Sequence, residues 1–261
     1  MASRFFLFAV LIVNIGLAKA DFLTFNLVIP SSSLTLSGIS NVPAAGGSFA
    51  YAAQGAGSLV TTYAGTFGVN VDNVLNPTTI SFASAILDAN SNGSWLPSNG
   101  GGTSTLAVGD YGMSVAAIAA NAKLRDVIFN LSAASTGVTA GTGAFSVAGQ
   151  TFQHTGGSID VFSAPLGGGD TALLTTSGLN VNAASGTYTV AGGIATLTIP
   201  VTFTAAYSIP GAGVTGTNTF TGTLVGVTAV PEPGSMILLG GMFGCAALWR
   251  KRKTLKRRLA Q

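Results

Sequence analysis

Charge is scarce in this 261-residue chain: Asp, Glu, Lys and Arg together make up 7% of it, against about a quarter in an average protein. A composition this poor in charge excludes a coiled coil and a charge-rich disordered chain, and it is not that of an ordinary cytosolic enzyme. The one Cys rules out a disulfide framework within the chain and a multi-Cys zinc site. There is one His, His154, and the one Glu, Glu232, stands close to the C-terminus. Between Asp21 and Ala229 the carboxylates are Asp alone, at 21, 72, 88, 110, 126, 160 and 170, and the only bases are Lys123 and Arg125. The formal net charge of +3 therefore arises at the two ends, and the body between them is acidic. A protein that holds DNA or RNA carries a basic stripe on its folded surface. This body has none, which excludes nucleic acid as a partner.

Motifs for chemistry are as sparse. No Gly-x-Ser-x-Gly elbow exposes a nucleophile, no Gly-x-x-x-x-Gly-Lys loop cradles a nucleotide phosphate, and no dinucleotide fingerprint occurs in a βαβ setting. Ser158 and Asp160 lie near His154 in sequence, yet without an elbow the three read as a hairpin flank with a surface histidine rather than a triad. The scattered Asp residues do not form the facing pair that glycoside hydrolysis requires. The run Asp88-Ala89-Asn90-Ser91-Asn92-Gly93 matches the opening of a calcium-binding loop, with oxygen ligands at alternate positions from Asp88, Asn90 and Asn92. Its twelfth position is Asn99 instead of a bidentate carboxylate, so it is either a very weak calcium site or a polar Asn/Gly turn. Trp95 and Tyr111 are candidate sugar-stacking rings, or else ordinary core and rim aromatics. No cofactor is expected.

Both ends read as addresses. Residues 1–20 have a basic start at Arg4, an apolar run from Phe5 to Leu17 and a small-x-small site at Ala18-Lys19-Ala20, the pattern of a secretory signal peptide. The run is short of the roughly 20 residues a spanning helix needs. Residues 230–261 hold Pro231, Glu232 and Pro233, then an apolar stretch from Met236 to Trp249 containing the lone Cys245, then a basic cluster from Arg250. The two prolines break regular structure, and the basic cluster keeps the far end cytoplasmic. This three-part ending closely resembles the PEP-CTERM sorting domain of exported bacterial proteins. The resemblance implies processing by an exosortase, a membrane-embedded cysteine protease. It also implies a transient hold in the inner membrane through a single C-terminal helix, delivery to the outer surface or matrix, and a tie to exopolysaccharide and biofilm.

Residues 21–229 read as one all-β domain, a β-sandwich or a barrel. The clearest strand runs from Leu197 to Ile209, with Leu197, Ile199, Val201, Phe203, Tyr207 and Ile209 on one face and mostly Thr on the other. Pro200 removes a ladder donor, which places that strand at an edge or a bulge. A second run, Thr61–Asp72, puts Tyr63, Phe67, Val69 and Val71 on one face. Shorter strands are expected at 33–36, 79–87, 126–131, 143–147, 158–162, 178–182, 187–190 and 217–227. Gly156-Gly157, Ser185-Gly186 and Gly192-Gly193 are placed as turns, and the Ala-rich 113–122 as a short helix. Leu, Ile, Val and Phe supply 56 of the 209 body residues, above the roughly 20% below which a chain cannot hold a core. The expected function is that of an exported, non-enzymatic surface or biofilm-matrix structural protein. The competing expectation is a carbohydrate- or lipid-binding β module at the cell surface.

Overall fold

The computed structural model describes residues 21–53, 59–89, 110–115, 120–163 and 168–230. In chain order their strands are β1 (Asp21–Leu27), β2 (Ser33–Val42), β3 (Gly47–Ala50), β4 (Ala52–Ala53), β5 (Val60–Thr62), β6 (Ala64–Val71), β7 (Thr79–Asp88) and β8 (Tyr111–Val115). The second half adds β9 (Ala120–Thr139), β10 (Ala144–Phe145), β11 (Thr151–Ser163), β12 (Gly168–Leu173), β13 (Ser177–Leu179), β14 (Gly186–Ala191), β15 (Ile194–Ile209) and β16 (Val214–Ala229). Two 3-10 turns, Ile29–Ser31 and Pro43–Ala45, each have a Pro in the first two positions, where a missing N–H costs nothing.

The ladder closes on itself. β1 pairs antiparallel with β6 on one side and with β16 on the other, so the path β1-β6-β7-β9-β10-β14-β15-β16 returns to its start. That is barrel topology, and it decides between the two all-β architectures the pattern allows. The long strands carry on beyond this ring. β16 also pairs with β2, β9 also pairs with β8 and β11, and β3 leads through Tyr51 into β4, which pairs with β8. The Val181 N–H donates to the Thr202 carbonyl at 2.8 Å, bringing the chain after β13 against β15.

Alternation explains why the wall has a dry inside. In β15 every second residue from Ala195 to Ile209 is buried, Leu197, Ile199, Val201 and Phe203 completely. In β6, Phe67, Val69 and Val71 face in as their spacing requires. In β9 and β11 the parity switches midway: Leu124 but then Val127, Phe129 and Leu131 point inward on β9, and Phe152 and His154 but then Ile159 on β11. Paired irregularities make the switch. Asp126 has φ 49° and Gly157 φ 105°, and the β9–β11 register shifts on both sides of Gly156. A Cβ on Gly157 would lie 2.9 Å from the carbonyl oxygens of Arg125 and Asp126, so only glycine fits. Gly156-Gly157 is thus a bulge within a strand and not the turn its composition suggests. Gly192-Gly193, with φ 56° and 74°, is the expected two-residue turn, joining β14 to β15.

Two other expectations are corrected. The segment 113–122 is not a helix: Met113–Val115 belong to β8 and Ala120–Ala122 to β9, paired with each other. Alanine's helix preference loses to the ladder these strands complete. Pro200 lies in a strand flanked on both sides, opposite Thr223 of β16. Its nitrogen points away from β16, into the seam where the pairing with β14 has ended. There the Asn180 carboxamide acts as a substitute peptide unit, its Nδ2 donating to the Pro200 carbonyl at 3.0 Å and its Oδ1 accepting from the Thr202 N–H at 2.9 Å.

The core is aromatic. The Phe129 ring meets Phe203 at 5.0 Å and 89°, Phe220 at 5.1 Å and 80°, and Phe152 at 6.3 Å and 86°, the edge-to-face arrangement that rings prefer. Phe152 stacks on Phe203 at 4.5 Å and 3°. We expect Phe129→Ala to lower stability by about 3–5 kcal/mol, the usual cost of emptying a large core site. Urea unfolding measures it, and a loss below about 1 kcal/mol would mean that Phe129 is not the hub of this core.

Candidate functional site

Both basic side chains of the body meet two of its seven Asp in one place. β8, β9 and β11 lie side by side, with Lys123 opposite both Gly112 of β8 and Asp160 of β11. Asp110 precedes β8, and Arg125 follows Lys123 on the same face of β9. The Arg125 Nε donates to Asp160 Oδ2 in an ion pair. Asp110, Lys123 and Asp160 are buried. Burial draws the Lys123 ammonium down to about pKa 8, against the pull of the Asp110 and Asp160 carboxylates. Both basic residues of the body and two of its Asp are thereby taken up in one internally neutralised cluster. Sequence reasoning did not assemble it, although the i, i+2 spacing of Lys123 and Arg125 on a strand was the available signal.

His154 is not on the surface. Its ring lies in the aromatic core, 4.5 Å from Phe129 and 5.9 Å from Phe220. Nδ1 is 3.0 Å from the Thr176 carbonyl, and since a carbonyl only accepts, Nδ1 carries the proton. Nε2 is buried without a hydrogen-bond partner among the described residues. Burial pushes the imidazole down to about pKa 4, against the pull of the Thr176 carbonyl. Ile159 is in the core, so alternation puts Ser158 and Asp160 on the opposite face of β11 from His154, and Asp160 is engaged by Arg125.

Tyr111 is completely buried, its hydroxyl 2.9 Å from that of Tyr63 and its ring edge-on to Phe220 at 5.7 Å. A stacking platform needs an exposed ring face, which Tyr111 does not present. Trp95 lies outside the described residues. Of the calcium candidates, Asp88 closes β7, opposite Ala64 and Ile128, while Asn90 and Asn92 lie outside the described residues. No group of three metal-ligating side chains occurs among the described residues.

Two concavities lie among the described residues. A cleft of about 290 Å³ between the end of β9, β10 and the segment before β14 is lined by Thr136, Thr139, Ser146, Asn182 and Ser185, with apolar residues that include Phe145 between them. It has no charged side chain in its lining. A void beside Ser40, Tyr51 and Met113 measures about 20 Å³, room for one water but not for a lipid. The adjoining hydroxyls are already linked, Tyr51 to Tyr207 at 2.7 Å and Tyr207 to Ser40 at 2.5 Å.

At the end of β16, the buried Val230 donates its N–H to the Gly193 carbonyl at 2.7 Å. β1 runs antiparallel to β16 with Asn26 opposite Val227, so Asp21 lies at the same end of the barrel as Val230. Pro231, Glu232, Pro233 and the apolar stretch behind them lie outside the described residues. Residues 229–253 match the PEP-CTERM protein-sorting motif. The motif makes this an exported chain, transiently anchored through its C-terminal segment and processed by an exosortase. No curated protein and no solved structure matches the chain, and no family covers the body.

The state of His154 gives a pH prediction. The folded pKa of about 4 lies below the ordinary 6.5, so the unfolded chain binds the extra proton between these values. Stability is full above pH 6.5 and falls as pH drops towards 4, by about 3 kcal/mol from this group. Urea midpoints recorded between pH 7 and pH 4 should show the fall, and His154→Leu should remove most of it. An equal slope in the variant would locate the proton elsewhere.

Proposed function

We propose that this chain is an exported, non-enzymatic structural protein of the cell surface or biofilm matrix, held there in association with exopolysaccharide. The observation that carries the reading is the PEP-CTERM motif at residues 229–253 behind an all-β body. Three features of the body support it. Its one imidazole is neutral and enclosed, which suits packing better than proton transfer. Its lysine and arginine are engaged with carboxylates in a buried cluster. Its outward strand faces carry Thr and Ser, groups that exchange hydrogen bonds readily with hydrated sugar.

A second reading, a carbohydrate-binding module with one defined site, is favoured by the uncharged 290 Å³ cleft lined by Thr136, Thr139, Ser146, Asn182 and Ser185. The two readings differ in stoichiometry. A matrix component associates along a polymer and stays with it through washing. A single-site module saturates at one short oligosaccharide per chain.

Fractionation of the producing cells' extracellular material tests the proposal. The protein should sediment with the polysaccharide and pass to the supernatant when that polysaccharide is digested by glycoside hydrolases. Recovery in the soluble fraction before digestion would overturn it.

A further inference from the structure

The outer face of the β2–β16–β15 strip is an ordered hydroxyl array. β16 carries Thr215, Thr217, Thr219, Thr221 and Thr223 at alternate positions, which one strand face must share. The register then lines up the neighbours in rows. Thr221 stands opposite Thr202 of β15 and Thr35 of β2, Thr219 opposite Thr204 and Ser37, and Thr223 opposite Pro200 and Ser33. Phe220, Phe203 and Leu36, the residues between them, are wholly buried, so the hydroxyl rows face out. Thr35, Ser37, Thr204 and Thr221 are exposed. Rows across paired strands repeat at about 4.8 Å and positions along a strand at roughly 6.8 Å, giving a two-dimensional lattice. Thr204 and Thr219 hydroxyls are 2.8 Å apart, in line across it.

None of these three strands contains a charged residue. A face needed only for solubility ordinarily mixes Lys, Arg, Glu and Asp among its polar groups. The bases that the body does have, Lys123 and Arg125, are engaged on β9. Neutral hydroxyls give up water at far lower cost than ions, and a periodic row turns many weak contacts into one strong attachment. Charge matching therefore selects a neutral polymer over an anionic or a cationic one.

We infer that the threonine face of β2, β15 and β16 docks an extended, uncharged polysaccharide chain along its hydroxyl rows. This rests on the matrix reading above and assigns the surface that serves it. The array of backbone and β-branched side chains is rigid before binding, so little order has to be created on contact.

The test uses the exported protein and three insoluble or polymeric probes: microcrystalline cellulose and dextran as neutral chains, and alginate as an anionic one. The variant Thr204→Val/Thr219→Val/Thr221→Val removes three hydroxyls while keeping β-branched shape, and Thr221→Lys places a charge in the array. Ile86→Lys, on the exposed face of β7, is the control, and thermal unfolding of each variant confirms folding. The expected result is binding to a neutral probe that falls tenfold or more in the triple-Val and Thr221→Lys proteins and is unchanged in Ile86→Lys. Neutral binding that survives in folded triple-Val and Thr221→Lys proteins would overturn the assignment of this face and leave the matrix reading standing. Binding to alginate alone would overturn the neutral ligand class. No binding to any of the three would overturn the face and count against the matrix reading with it.

Discussion

Closing the ladder through β1 is the constraint on which the rest of this molecule depends. The seven residues of β1 join β6 to the C-terminal part of β16, beyond its pairing with β2, and the longest strands, β9, β15 and β16, all have neighbours on both sides. An open edge on a chain so rich in Thr, Val and Gly and so poor in charge would be a template for pairing with other copies, because proteins normally blunt edges with Lys, Pro or bulges. This chain has almost no charge with which to do so. Closure removes the need along the ring, and its outer faces are then free to be neutral and hydroxylated.

The same economy runs through the interior. Where alternation has to change phase between Arg125 and Val127, the bulge at Asp126 and Gly157 changes it on both strands at once, so Leu124 and Ile159 on one side of it and Phe129 and Phe152 on the other all face the core. Where Pro200 cannot donate, Asn180 completes the pattern from its side chain. Both basic groups and two of the carboxylates are drawn together beside β8, β9 and β11, and the imidazole is kept neutral among phenyl rings. Both described ends of the body, Asp21 and Val230, lie at one end of the barrel.

Much of this could be read from residue order, and the parts that could not have identifiable reasons. The strand from Leu197 to Ile209 and the Gly192-Gly193 turn follow from period-two alternation and positive φ, both local properties. Gly156-Gly157 carries the same local signal as a turn, and only the partner strand shows that it is a bulge. The Ala-rich 113–122 segment has helical preference but no partner visible in sequence, and pairing outweighs propensity. His154 stands next to polar neighbours in sequence, while its burial is set by Phe129 and Phe220, distant in the chain. Of the candidate sites, the Pro-Glu-Pro signal was fully legible, because a sorting motif is recognised as a linear segment. The threonine rows were half legible: alternation in β16 announces them, but the alignment with β2 and β15 is a matter of register, which no single strand contains.

This molecule is a closed barrel, poor in charge, that carries the signal for export and exosortase processing. The most direct measurement is the intact mass of the protein recovered from the surface fraction of its host. The expected mass is that of a chain that begins near Asp21 and ends near Pro233, with the apolar stretch and the basic cluster gone. A chain that still extends to Gln261 and is recovered with the inner membrane would contradict it.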